Sequence, residues 1–241
     1  MSRATAARAE VLKLARLLGR DPDTLAYLLD AEPAEIRGLR EQITEVLFDA
    51  HSHALGRLAA ASRLLPVSVI ALIAERALGP VLVAQLAALI EPSRAVEVAA
   101  KLSSPFVADV AVHIDPRRAS EVIVGIPADQ IVEVALELSR RDEFVTIGRF
   151  LGRLSTEASV AALEAMDAAT VLQATFVAED DEQLDEVIVL LPEDRLGELL
   201  DMAADAGLWE ELLELLERLS EPRRTQYLEV AASRGPAHQS P

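Results

Sequence analysis

The chain contains no cysteine, only two lysines (Lys13 and Lys101) among 23 basic residues, and just 3% aromatics across 241 positions. Without thiols there is no disulfide framework and no thiol chemistry. No G-x-S-x-G occurs, and with only four histidines no activated nucleophile and base stand out. G-x-x-x-x-G-K-[ST] and G-x-G-x-x-G are also missing, so no phosphate-cradling loop is indicated and no motif asks for a cofactor. His51 and His53 lie two apart, on different faces of a helix, and lack the i, i+4 spacing of a zinc pair. His113 falls at a helix boundary, where a structural role is expected, and His238 lies in the tail. An enzyme is therefore the least favoured reading.

A surplus of positive charge is lacking too. The net charge is -17, which argues against nucleic acid and anionic membrane as partners, because both select cationic surfaces. The charge is uneven: residues 1–65 hold nine acids and nine bases, 66–140 nine and six, and 141–241 twenty-two and eight. The first stretch, "MSRATAARAEVLKLARLLGRD", has charges throughout and no continuous apolar segment, so no signal peptide is read there. The expected location is cytoplasmic.

What the sequence does have is aliphatic mass. Hydrophobic residues are 51% and mean hydropathy is +0.24, supplied by Ala, Leu, Val and Ile, a mixture suited to close helix packing. The most apolar window, "LLPVSVIALIAERALGPVLVAQLAALI" (64–90), has Glu75 and Arg76 at its centre and then Pro80. A charge at mid-bilayer costs roughly 2.5–3.5 kcal/mol, so two short buried helices are expected there, with no membrane span.

Six of the twelve prolines stand at 66, 80, 92, 105, 116 and 127, at gaps of 14, 12, 13, 11 and 11. Proline suits a helix start, where its missing N–H costs nothing, so each gap reads as one short helix plus a turn. After Pro80, Pro92 and Pro116 the residues at +3, +6, +7 and +10 are Val83, Leu86, Ala87 and Ile90, then Ala95, Val98, Ala99 and Leu102, then Ala119, Val122, Ile123 and Ile126. One apolar helical face is thus used three times. Glu91 and Asp115 precede their prolines as N-terminal acids, with Ile90 and Ile114 as staples. Helices of about ten residues do not persist alone in water and must stack on neighbours.

Beyond residue 140 the helical reading continues, with starts at Ser155, Asp167, Pro192 and Pro222 and a stop at Gly207. The expected organisation is a small N-terminal helical piece (1–65), a helical-repeat domain with an acidic C-terminal part (66–234) and a disordered tail (235–241). The fold class is all-α. Helix pairs opened by an acid-Pro or Leu-Pro turn, as in "IDPRRASEVIVGIPADQIVEVALEL" and "VLLPEDRLGELLDMA", resemble the superhelical repeats of the cytosolic N domain of MgtE-type magnesium transporters. They are also similar to the armadillo-like helices of the flagellar motor switch protein. The resemblance covers roughly residues 64–200 and implies a right-handed superhelix, or α-solenoid, of short helix pairs. The transporter domain is regulatory and senses magnesium, but its partner domain and membrane part are not recognisable in this sequence, so only the fold is carried over.

Three features bear on ligands. Arg149 and Arg153 in "IGRFLGR" (147–153) are placed to hold an anion, or else to pair with Asp142 and Glu143 while Gly148 and Gly152 allow close packing. The acidic run "EDDEQLDE", with Glu179, Asp180, Asp181, Glu182 and Asp185, lacks the alternation of a calcium loop and reads as a solvated turn capping a helix from Gln183, or a weak divalent or basic-partner site. Phe144, Phe150, Phe176 and Trp209 are the aromatics whose clustering would mark an apolar ligand site. Two functions follow: first, a non-enzymatic scaffold that binds a protein partner through that partner's basic surface, with homo-oligomers open; second, a carrier or sensor of an apolar small molecule or lipid held between helices.

Overall fold

Pro92 is the first residue of its helix, and the carboxylate of Glu91 accepts the N–H groups of Ser93 (3.3 Å) and Arg94 (3.1 Å). This pairing of an acid cap with a proline that has no N–H to lose fixes where a short helix starts. It recurs with variations along the chain. Ser155 accepts from the N–H of Ala158 and Asp167 from that of Thr170 at the next two starts, and Gly207 ends a helix at φ 70°.

The computed structural model describes residues 3–49, 52–178, 181–188 and 190–233. Among these, the regular elements are all helical. They are α1 (Arg3–Leu18), a 3₁₀ turn (Pro22–Leu28), α2 (Pro33–Asp49), α3 (Ser52–Ser62), α4 (Val67–Ile73), a π turn (Ala74–Leu78), α5 (Gly79–Ala87) and α6 (Pro92–Ala99). Then come α7 (Ser104–His113), α8 (Ser120–Gly125), α9 (Ala128–Ser139), α10 (Phe144–Phe150), α11 (Thr156–Ala165) and α12 (Ala168–Val177). The last four are α13 (Asp181–Ile188), α14 (Glu193–Ala206), α15 (Trp209–Arg218) and α16 (Glu221–Ser233). His51, His238, Glu179, Asp180 and the tail from Gly235 lie outside the described residues.

Packing follows a simple rule: a helix meets the helix two further on. α5 packs on α7, α7 on α9, α9 on α11 and α11 on α13; on the other side α4 packs on α6, α6 on α8, α10 on α12, α12 on α14 and α14 on α16. The steps from α8 to α10 and from α13 to α15 are thin, and α12 also packs on α15. In the N-terminal piece α1 packs on α2, α3 packs on α5, and α1 also docks on α10 and α12.

Arginines tie this stack together. Helix C-termini leave carbonyls without intrahelical partners, and a guanidinium from the third helix along supplies donors to them. Arg94 of α6 donates to Ser62 O (3.0 Å) and to Leu65 O at the end of α3. Arg149 of α10 donates to Ile114 O (2.8 Å) after α7, and Arg195 of α14 to Leu163 O (2.9 Å) and Met166 O at the end of α11. Arg218 of α15 does the same for Thr175 O (2.6 Å) and Ala178 O (2.9 Å) after α12.

Three expectations change. The helices of the 64–90 window are present, joined by the π turn and broken at Gly79 (φ 74°, ψ 168°), but they are buried on one side only, through Ile70, Ala71, Ala74, Ala84 and Leu86. The run Val67–Ala87 is 21 residues long and holds an 18-residue window of mean hydropathy 1.9, long and apolar enough to cross a membrane, of which only 17% is buried. Val69, Leu72, Ile73 and Val81 face solvent, because α4 lies at one end of the packing order with nothing on its outer side among the described residues. Pro116 opens a turn, and α8 starts four residues later at Ser120. There the Asp115 carboxylate takes the N–H of Arg117 (3.0 Å), and Arg117 reaches Glu41 of α2 (2.6 Å), fixing a non-helical turn. Finally, α13 begins at Asp181, two residues ahead of the expected Gln183.

Candidate ligand site

An apolar cavity of about 110 Å³ lies among α4, the π turn, α5, α6, α7, α8 and the end of α10. Its wall consists entirely of Ala, Val, Leu, Ile and one Phe. Of the twelve register residues that follow Pro80, Pro92 and Pro116, only Ala119 is not in that wall; it is buried in a core group with Ala84, Val110, Ile114 and Ile123. The repeated face thus converges on one hollow. A second apolar cavity, about 70 Å³, adjoins it toward α9 and α11 and shares the walls Val107, Ala111, Ile123, Ile126 and Phe150.

Two glycines let neighbouring helices close on one another. A Cβ on Gly125 would sit 2.7 Å from Val96 Cγ2, so the glycine lets α8 close on α6. A Cβ on Gly148 would meet both Ala174 O and Val177 Cγ2 at 2.4 Å, so α10 lies almost backbone to backbone on α12. Gly152 serves differently from expectation: its φ of 82° is a turn conformation that favours glycine.

Beside the apolar cavities lies a polar recess lined by Arg40, Asp115, Pro116, Arg117, Arg149 and Arg153. The structure therefore brings together the two arginines of "IGRFLGR" and adds two more, from α2 and from the 116–119 turn. Arg40 is buried and lies 3.3 Å from Glu10 Oε2; Arg117 lies 3.5 Å from Asp115 Oδ1, and Arg118 Nε is 3.6 Å from Asp115 Oδ2. Among the described residues no carboxylate pairs with Arg153. Glu143, an expected local partner, takes Arg16 of α1 at 2.5 Å, since α1 docks on that side.

The aromatic candidates do not gather at one place. Phe150 stands in the walls of both cavities. Phe144 packs on the main core and also, with Phe176, on a group that receives Ala9 and Leu12 of α1, with the guanidinium of Arg8 5.6 Å from the Phe176 ring centre. Trp209 packs on the C-terminal core. In the acidic run Asp185 accepts the N–H of Ser220 (2.8 Å) just ahead of α16, a capping role. Asp181 and Glu182 open α13. Among the described residues no three His, Asp or Glu side chains stand together as metal ligands.

Sequence reasoning missed Arg40 and Arg117 as parts of the recess, and Arg94, Arg195 and Arg218 as clamps. A signal existed for two clamps, since Arg94 and Arg195 sit in the first turns that follow Pro92 and Pro192. No family model, curated protein or solved structure matches the chain.

Proposed function

We propose that this protein is a non-enzymatic helical-repeat carrier or sensor that takes an apolar small molecule between its helices. The observation behind this reading is the hollow itself. Protein interiors are close-packed, and holes larger than a water are few. A cavity with a wholly apolar wall stays dry and accepts apolar guests; one of about 150 Å³ takes up benzene. Here about 110 Å³ adjoins about 70 Å³ across a shared wall, and eleven of the residues around the larger one belong to the face that the sequence repeats. The stacking rule and the arginine clamps also support reading the helices as a superhelix of pairs, with the right-handed sense taken from the transporter N-domain resemblance.

The test is native mass spectrometry of protein purified without detergent, followed by thermal melting with added decanol. Wild-type protein is expected to carry an extractable apolar molecule or to melt higher with decanol. Ala111→Leu, which places three carbons into the wall common to both cavities, should abolish either effect without loss of fold. An apo mass together with an unmoved melting curve would sink the proposal.

A second reading, a protein-interaction scaffold in the same cytoplasmic setting, is favoured by one observation. Val69, Leu72 and Ile73 are exposed on one side of α4 while Ile70 lines the cavity on the other. A helix apolar all round is normally covered on both sides. A partner protein or a second copy covering that face would appear as a complex in sizing experiments that Leu72→Glu dissolves. A monomer at all concentrations, with no partner recovered from the host at low or high salt, would remove this reading.

A further inference from the structure

A single helical layer stands between the larger cavity and solvent on one side. Ile70 of α4 and Ala74 and Leu78 of the π turn, four residues apart, line the hollow, while Val69, Leu72 and Ile73 are exposed. Beyond its own π turn, α4 packs on α6 and on no other helix to a comparable extent among the described residues. A segment with few buried contacts and an exposed outer side opens more readily than the core. The π turn that continues α4 departs from regular helical hydrogen bonding, as helices do at many functional sites.

Both ends of this segment are fixed, and one contact fastens it between them. At the near end Arg94 of α6 donates to Leu65 O, just ahead of Pro66. At the far end the chain turns at Gly79, whose φ of 74° suits glycine; a Cβ there would have nothing within 4 Å, so the backbone angle and not crowding calls for glycine. Between them Glu75 reaches the start of α7: its Oε1 accepts the N–H of Ser103 (2.7 Å) and the Ser103 hydroxyl (2.8 Å). Ser103 is the N-cap of α7, a place where a serine hydroxyl ordinarily accepts an N–H of its own helix. Here it makes no such cap and donates to Glu75. The acid that interrupts the most apolar window of the chain thus fastens the cavity's outer wall to the next helix but two.

We propose that α4 and the π turn form a lid on the apolar cavity, hung between Leu65 and Gly79 and held shut by Glu75 on Ser103. This rests on the apolar-ligand reading above and adds the route by which a guest enters and leaves. With the Glu75 contact broken, the segment swings about its two ends, lifts Ile70 and Ala74 off the hollow and opens it on the side where Val69 and Leu72 meet solvent. Hinges of such lids are a few positions at element ends that absorb the backbone change, and Gly79 is one. Glu75 and Ser103 are positioning residues: neither lines the cavity, and they govern the rate of exchange through the lid.

The lack of cysteine allows an unambiguous test. Ala71 of α4 and Val98 of α6 share one small core group with Ile70, so Ala71→Cys with Val98→Cys sets the chain's only two thiols across the seat of the lid. The probe is decanol bearing a terminal fluorine, and fluorine NMR exchange on the full chain reads its rates of binding and release. Oxidised, the double variant should exchange the probe about tenfold or more slower than when reduced. Glu75→Ala, which needs no bridge and decides independently, should speed binding and release alike by about fivefold or more and leave Kd within about twofold, because a contact to a charged group is lost outside the cavity. Circular dichroism of the variants serves as the fold control. Equal exchange in the oxidised and reduced forms overturns the lid and leaves the carrier reading standing. Glu75→Ala rates that match wild type, or a weaker affinity with an unchanged rate of binding, overturn it as well, since Glu75 would then not hold the entrance. No binding of the probe by wild-type protein overturns both the lid and the carrier reading.

Discussion

Arg94 and Arg195 make the same contact at two points of the stack: each guanidinium donates to a carbonyl 32 residues earlier, Ser62 O at 3.0 Å and Leu163 O at 2.9 Å, and each also reaches a carbonyl 29 residues earlier. The identical spacing marks equivalent posts in a repeated arrangement. Arginine suits the task because its fork serves two carbonyls at once, which a single ammonium holds less well.

Removing a clamp orphans carbonyls at a helix it does not belong to. Arg195→Met is expected to cost about 1.5–3 kcal/mol, the scale of hydrogen bonds from a charged group, and Arg195→Lys to recover only part of it. Urea unfolding gives the magnitude, and hydrogen exchange should show the loosening at the end of α11 rather than within α14. Faster exchange confined to α14 would contradict the clamp.

Val122 and Glu121 are adjacent in α8, one buried in the cavity wall and the other exposed. Val122→Asp places a carboxylate against an apolar surface and should cost about 3 kcal/mol or more. Glu121→Gln should stay within about 0.5 kcal/mol. Comparable losses from the two would show that α8 is rotated relative to the register described.

Glycine substitutions should separate by position. Gly148→Ala drives a methyl against Ala174 O, a backbone atom with no freedom to step aside, and is expected to cost about 1–3 kcal/mol. Gly38→Ala within α2 meets nothing within 4 Å and should stabilise by about 0.5–1 kcal/mol through helix propensity. Chemical denaturation decides both, and a neutral Gly148→Ala would rule out the close approach of α10 and α12.

Asp167 supplies the acid-sensitive cap. Burial pushes its carboxyl up, but hydrogen bonds from Thr170 Oγ1 (2.6 Å), Thr170 N (2.8 Å) and Ser139 Oγ (2.7 Å) outweigh this and hold it below its usual range. Because the folded value lies below the unfolded one, the contribution is complete above the ordinary carboxylate value near 3.8 and is lost as pH falls through the folded value. Asp167→Asn retains an acceptor for the cap, so its stability should match wild type more closely in strong acid than at neutral pH. A difference independent of pH would exclude the charged cap.

The proline spacing and the apolar register could be read directly because both are local: a helix start needs only its neighbours, and twelve residues at fixed offsets define a face whatever it packs against. Glu91, Ser155, Asp167 and Gly207 were legible for the same reason. The clamps were not, since which carbonyl end Arg94 or Arg218 meets depends on how helices three apart are placed. The same holds for the recess. "IGRFLGR" displays Arg149 and Arg153, but Arg40 and Arg117 arrive from α2 and a turn far away in sequence. Hydropathy marked the 64–90 window as apolar without revealing which side would be covered, because composition carries no information on the order of packing. Phe150 and Phe176 look alike as isolated aromatics, and only the docking of α1 assigns one to a cavity and the other to an interface.

The reach of these contacts orders events in time. The clamps span 29 to 43 residues, so each can close while a chain growing from a ribosome is only one or two helices further along, and low sequence separation favours rapid folding. The seat of α1 is different: Arg16 waits for Glu143 across 127 positions, and Ala9 waits for Phe176. The first helix made is thus among the last to find its place, and until α10 and α12 emerge its apolar stripe of Ala9 and Leu12 has only the 3₁₀ turn and α2 for neighbours. A nascent chain halted before α10 should therefore present that stripe to chaperones, and release of the halt should hide it.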